Sequence, residues 1–313
     1  MEEELNTSSF PEKEIVQDAD VSSVEESALL SLPLGNELTC QETYSISATE
    51  LTSFVVFVGA TGCGKTTLVT SIYQQFLQED FSEKYLFSGS RTLQSFEQRA
   101  YYTRSISEQV YAGMQRTPRG SLDSILHLRI WDEQNCVHRN LLLTDFSGED
   151  YESVSGNILA AKEDFNVICA AKFIITILDG EKIAADKYKQ AEVQKAIHIL
   201  HTFNDAGLLH PNAEIIIAIS KYDLVFNKHD DALNSFILKI PQKICNQIPA
   251  LKSRLVLKYI AAMPDDASEI DTGYGINELF GFLMTSHQQK PNAQISTSLI
   301  TSEFNLFGER ALV

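Results

Sequence analysis

Basic residues are scarce in this chain: 25 Lys and Arg stand against 42 Asp and Glu, a formal charge of −17 over 313 residues. A surface that tracks a nucleic-acid backbone or holds an anionic membrane needs the opposite balance, so neither partner is expected. Cysteine is sparse too. Cys40, Cys63, Cys136, Cys169 and Cys245 never form a CxxC pair. That usage fits a reduced, cytoplasmic protein and signals neither a disulfide framework nor a zinc site. No apolar run approaches the ~20 residues that span a bilayer. The opening MEEELNTSSF has no basic start or apolar stretch, and Glu2 stands where N-myristoylation requires glycine, so no leader or lipid anchor is expected.

The negative charge is unevenly placed. Residues 1–50 hold 12 acidic side chains and the single Lys13, a net of −11, which leaves −6 on the other 263. Rich in Ser and Glu, this segment reads as a disordered or loosely docked arm, with apolar patches such as Ala28-Leu29-Leu30 able to dock onto a partner or onto the domain itself. From Phe54 the pattern changes. The continuous apolar run Phe54–Val58 suits a strand buried on both faces, and Phe173–Leu178 and Glu214–Ile219 read as further strands. Ile125–Trp131, Leu141–Thr144 and Leu255–Ala261 add three more. Thr66–Gln78, Asp186–Asn204 and Ile276–Thr285 have helical spacing. Strands separated by helices predict an open α/β sheet of six mostly parallel strands, with helices on both faces. The short connection Asp132–His138 implies one antiparallel edge strand. The expected organisation is an arm over 1–50, one domain over 51–288 with a long insert at about 80–122, and a tail over 289–313.

The segment Gly59-Ala60-Thr61-Gly62-Cys63-Gly64-Lys65-Thr66 fits the phosphate-loop pattern GxxxxGK[ST], and it lies where that pattern must, between a strand and a helix. Its glycines let successive N–H groups converge on anionic oxygens, and the helix N-terminus adds partial positive charge. Gly59, Thr61, Gly62, Cys63, Gly64, Lys65, Thr66 and Thr67 are therefore the expected phosphate contacts. Lys65 would reach the β- and γ-phosphates, and the Thr66 hydroxyl would ligate Mg²⁺. A thiol at a helix N-terminus can acquire a low pKa, but Cys63 reads as a small side chain that the loop tolerates.

The strand Leu141–Thr144 delivers Asp145-Phe146-Ser147-Gly148. An Asp at the carboxyl end of a buried strand can hold a Mg²⁺-bound water, and Gly148 can offer its N–H to a γ-phosphate with no Cβ in the way. Ser220-Lys221-Tyr222-Asp223 follows another apolar strand. The Asp223 carboxylate matches the two adjacent donors of guanine, whereas adenine offers an acceptor there. Lys221 would lay its aliphatic stem along the base.

Together GATGCGKT, DFSG and SKYD resemble the GTPase pattern, in the order and spacing of a Ras-like P-loop domain of the translation-factor-related (TRAFAC) class, over about residues 54–286. The resemblance implies GTP or GDP with Mg²⁺. Two positions depart from it. The guanine motif begins with Ser220 instead of Asn or Thr, which puts its tie to the phosphate loop in question. The last motif is reduced to Ala261-Ala262, so its guanine contact would rest on backbone alone. The long stretch FSGSRTLQSFEQRAYYTRS, then Thr117-Pro118-Arg119, and the string LTDFSGED are similar to the bacterial double-GTPase families of conflict and defence systems. That likeness implies protein effectors or regulators. Self-association is also open.

Hydrolysis needs more than binding. Where Ras-like enzymes carry a water-orienting Gln, this chain has Glu149, which suits either a base or a switch role. An arginine is also needed to neutralise charge in the transition state. Arg91, Arg99, Arg104 and Arg119 all lie in the long stretch, with Arg119 and Arg104 favoured. Thr117 is the candidate switch threonine closing on Mg²⁺, with Ser121 as rival. His198, His201 and Asp205 share a helix face, but this spacing suits a solvated face better than zinc. A nucleotide-binding scaffold with little turnover and a P-loop ATPase remain the alternatives to a GTPase.

Overall fold

Leu51–Val58 (β1) is buried at six consecutive positions from Ser53 to Val58, because the strand lies at the middle of a sheet covered on both sides. The computed structural model describes residues 35–78, 84–101, 117, 120, 124–265 and 268–285. Its strands are β1, Tyr85–Gly89 (β2), Ile125–Asp132 (β3), Val137–Thr144 (β4), Phe173–Asp179 (β5), Glu214–Ser220 (β6) and Leu255–Tyr259 (β7). They form one sheet in the order β2-β3-β4-β1-β5-β6-β7. The five from β4 to β7 in that order are parallel, and β3 and β2 continue the sheet antiparallel.

Side-chain alternation splits the core in two. Val55 and Phe57 face Lys65–Gln75 (α2), Leu93–Tyr101 (α3) and Ile276–Thr285 (α11). Phe54, Val56 and Val58 face the opposite layer, which includes Cys40–Ser47 (α1), Gly148–Val154 (α4), Ile158–Asp164 (α5), Gly180–Ala184 (α6) and Lys189–Asp205 (α7). Tyr222–Phe226 (α8), Asp231–Leu238 (α9) and Ile240–Gln247 (α10) complete that layer. The α/β architecture with helices on both faces is thus the one expected, with the expected strands extended by a few residues or, for β7, shortened.

Two expectations change. The sheet has a seventh strand, β2, inside the stretch read as a plain insert. It is a short edge strand, half-exposed, with a bulge between Phe87 and Gly89, so no run of alternating apolar residues announces it. After it, α3 stacks on α2 through Tyr73 and Phe96, whose ring centroids lie 4.8 Å apart.

Residues 35–50, expected as the end of an acidic arm, are folded onto the sheet, and residues 1–34 lie outside the described residues. Leu38 pairs with Ile125 through two backbone hydrogen bonds of 2.9 and 3.1 Å. Thr39 and Glu42 form a capping box that starts α1, whose Ile46 is buried against the sheet. Burying side chains of this size contributes roughly 1.5–3 kcal/mol each. Residues 35–50 are therefore part of the folded body. Among the described residues, no helix is long and apolar enough to cross a membrane.

Candidate nucleotide site

The chain leaves β1 for one side of the sheet and returns at β5 on the other, so the carboxyl ends of the strands beside β1 frame a crevice. The phosphate-loop residues sit in it. Gly62 and Gly64 hold φ of +77° and +95°, conformations that side chains with a Cβ rarely adopt. They curl the loop into α2, whose first-turn N–H groups at Lys65, Thr66 and Thr67 have no intrahelical acceptor. Lys65 is buried, and its Nζ donates to the carbonyls of Gly59 at 2.8 Å and Ala60 at 3.0 Å. Thr61 Oγ1 is a buried hydroxyl with no hydrogen-bond partner among the described residues. An orphaned donor inside a loop of convergent N–H groups fits an oxyanion ligand. Cys63 is fully buried, and desolvation raises its thiol pKa, in keeping with a packing role and against a reactive thiolate.

Asp145, at the end of β4, is completely buried and lies opposite α2. Thr66 Oγ1 donates to its Oδ1 at 2.8 Å. Thr117 reaches the same place, with its hydroxyl 2.9 Å from Thr66 Oγ1 and 3.5 Å from Asp145 Oδ2. Two hydroxyls and a carboxylate drawn from three separate segments thus converge, an all-oxygen set that suits a hard divalent cation. Arg104 and Arg119, together with Ser121, lie outside the described residues. The arginine that the structure does bring to this place is Arg99 of α3. Its Nε donates to Asp145 Oδ2 at 2.8 Å, and it also pairs with Glu37. Burial works against its charge, but the Asp145 and Glu37 carboxylates outweigh that and raise its pKa above the ordinary value.

Gly148 opens α4 directly against the phosphate loop. A Cβ there would meet Thr61 N at 2.4 Å and Ala60 C at 2.5 Å. Glu149 is half-buried in the next position, its N–H donating to the Ser147 cap at 3.3 Å. One residue on, the Asp150 carboxylate accepts the Gly120 N–H at 3.1 Å, joining α4 to the stretch that carries Thr117.

Ser220 settles the question its identity raised. Its Oγ lies 2.7 Å from the Cys63 carbonyl and 3.1 Å from that of Leu178, so a hydroxyl makes the tie to the phosphate loop. Lys221, at φ +46°, extends its ammonium to Asp179 at 3.1 Å and Glu181 at 2.8 Å. Asp223 is buried, and its Oδ2 accepts the Asp265 N–H at 3.4 Å. The Ala261 N–H is taken by the Tyr274 carbonyl at 3.1 Å. His201 pairs with Asp205 on the outer face of α7 at 2.8 Å, and among the described residues no cluster of His, Cys, Asp and Glu has metal-ligand geometry.

A glycine-curled loop between β1 and α2, an acidic residue closing the adjacent parallel strand, and a Ser-Lys-x-Asp turn after β6 define a P-loop domain of the GTPase type. The model of the Double-GTPase 2 family matches residues 53–284, and the chain belongs to that family. The family match supports GTP binding and hydrolysis at a general level. No curated protein sequence matches it. Among solved structures, the chain is similar to the Saccharomyces cerevisiae Ski7 GTPase-like domain bound to GTP. The identity is 11% and the TM-score 0.43, over 80% of this chain and 53% of that one. The chain thus spans about half the length of that structure.

Proposed function

We propose that this protein is a Mg²⁺-dependent GTPase that works as a conformational switch. The observation that carries the proposal is the meeting of Thr66, Thr117 and Asp145 at the mouth of the phosphate loop. In this reading the loop N–H groups from Gly59 to Thr67 and the Lys65 ammonium hold the phosphates. Thr66, Thr117 and Asp145 would hold Mg²⁺, which would supply positive charge against the phosphates. Asp223 accepts from guanine and Lys221 lies along the base, steadied by Asp179 and Glu181. Because Tyr274 already takes the Ala261 N–H, the remaining backbone contact to the base falls to Ala262. Glu149 would orient or deprotonate the attacking water, and Arg104 or Arg119 would supply the transition-state charge.

The switch itself follows from the pairing of Gly120 with Asp150. Thr117 and Gly148 stand on two segments that this bond links, so loss of the γ-phosphate would release both. A protein effector or regulator reads that change in this view. Its setting is a bacterial conflict or defence system, as the double-GTPase likeness implies, in the cytoplasm and with a second copy as a candidate partner.

Purified protein with GTP and Mg²⁺, beside a Lys65→Ala control, tests the reading. Phosphate release no faster than in the control leaves only a nucleotide-binding scaffold. ATP displacing labelled GDP as well as GTP does removes the guanine assignment.

A further inference from the structure

The Asp145 carboxylate divides its two oxygens. Oδ1 takes the Thr66 hydroxyl at 2.8 Å, on the side of the phosphate loop. Oδ2 takes Arg99 Nε at 2.8 Å. Both terminal nitrogens of the guanidinium are engaged as well, one donating to the Ser95 carbonyl at 3.2 Å and the other reaching Glu37 and the Ser124 hydroxyl, the latter at 3.4 Å. Arg99 is thus held from its own helix, from the residue before β3 and from the segment that precedes α1. Its side chain is 13% exposed and that of Asp145 not at all. A rigid, buried fork on the outer oxygen of a carboxylate restricts how that carboxylate can turn. Carboxylates that serve metals are commonly oriented by such outer hydrogen bonds.

We infer that Arg99 is a positioning residue for the metal carboxylate. Anchored by Glu37, it holds Asp145 so that Oδ1 stays turned to Thr66 and the cation. The inference rests on the reading of Thr66, Thr117 and Asp145 as the Mg²⁺ site. It gives α3, within the long stretch after α2, a chemical task, and it makes the end of the acidic segment an outer support of the nucleotide site. The same ion pair balances the buried charge of Asp145 when no cation is bound.

The test is the Mg²⁺ concentration at which dissociation of a fluorescent GDP analogue is half-maximally slowed, together with the melting temperature of the nucleotide-free chain. Arg99→Gln is expected to raise the Mg²⁺ midpoint about tenfold, the lower end of the effect of losing an outer-shell partner. It should also lower the nucleotide-free melting temperature, with a larger recovery on adding Mg²⁺ and GDP than the unmodified chain shows. Arg99→Lys keeps the charge without the fork and should fall between the two. Glu37→Gln, at a partly exposed side chain, should shift the midpoint in the same direction by less, and these two variants carry the test if Arg99→Gln does not fold. Arg91→Gln, which removes an exposed bond to Ser45 on the same stretch, should leave the midpoint where it is.

An unchanged midpoint in Arg99→Gln, or a lowered one showing that the arginine competes with the cation, overturns the inference. Asp145→Asn separates this from the underlying reading. If that substitution also leaves the midpoint unmoved, the metal assignment itself fails; if it alone moves the midpoint, only the role of Arg99 does.

Discussion

Replacing Glu50 by Gln should weaken the fold by an amount that depends on pH. Glu50 stands just before β1 and grips Arg129 of β3 with both oxygens, one of these bonds being 2.9 Å from Nε. Asn140 of β4, the register partner of Arg129, donates to the same carboxylate at 2.9 Å. Behind it, Asn140 Oδ1 meets His127 Nε2 at 2.9 Å, while His127 Nδ1 accepts the Arg91 N–H at 3.0 Å. The hydrogen bond from Arg129 is the largest cause that holds the Glu50 carboxyl at about 2, against an ordinary 4.5. That difference corresponds to at most about 3–4 kcal/mol. The Arg129 side chain is 35% exposed, so water screens the pair and ~1–2 kcal/mol is the expected contribution. For a domain of this size it amounts to roughly 2–8 °C in melting temperature.

A carboxyl whose folded pKa is depressed contributes fully above its unfolded value and loses that contribution as pH falls toward the folded one. Urea unfolding of both chains should therefore show a constant gap from pH 7 down to about 5, closing between about 4.5 and 2. A gap that is absent at pH 7, or that persists undiminished at pH 3, refutes the assignment of this stability to Glu50.

Three further outcomes are expected. Gly148→Ala forces a Cβ into the phosphate-loop backbone at 2.4–2.5 Å, which neither partner can relieve by rotating a side chain. It should cost about 1–3 kcal/mol by urea unfolding, and lower GTP affinity measured by titration. Ser220→Ala removes the hydroxyl shared by the Cys63 and Leu178 carbonyls and should cost about 1 kcal/mol, with weaker binding of GTP and GDP alike; unchanged affinity would show that the tie does not steady the loop. A chain starting at residue 51 should be less stable than one starting at residue 35 by about 3–6 kcal/mol, since it loses buried Leu38 and Ile46. Equal melting temperatures for the two would contradict the packing of α1.

Much of the site is legible in one dimension because its chemistry is local. Gly62 and Gly64 shape the backbone of a single turn into which Lys65 folds its side chain, and the apolar runs of β1, β5 and β6 announce strands that must be covered on both faces. Charge counting also located the excess of acid in residues 1–50. It did not show where that acid goes. Glu37 and Glu50 pair with Arg99 and Arg129, and α1 packs on the sheet, so residues 35–50 belong to the folded body. Edge strand β2 escaped because a half-exposed, bulged strand has no clean period. The arginine beside Asp145 was one of four that the sequence offered for the transition-state charge, and not one of the two favoured there. Arg99 and Asp145 lie 46 positions apart, and Ser220 and Cys63 lie 157 apart. The order and identity of the nucleotide motifs were determined by sequence alone, since each needs only its own few residues. Which arginine supports Asp145, and which hydroxyl anchors the loop, was decided by tertiary structure, because such pairs exist only where the sheet brings distant strand ends and helices together.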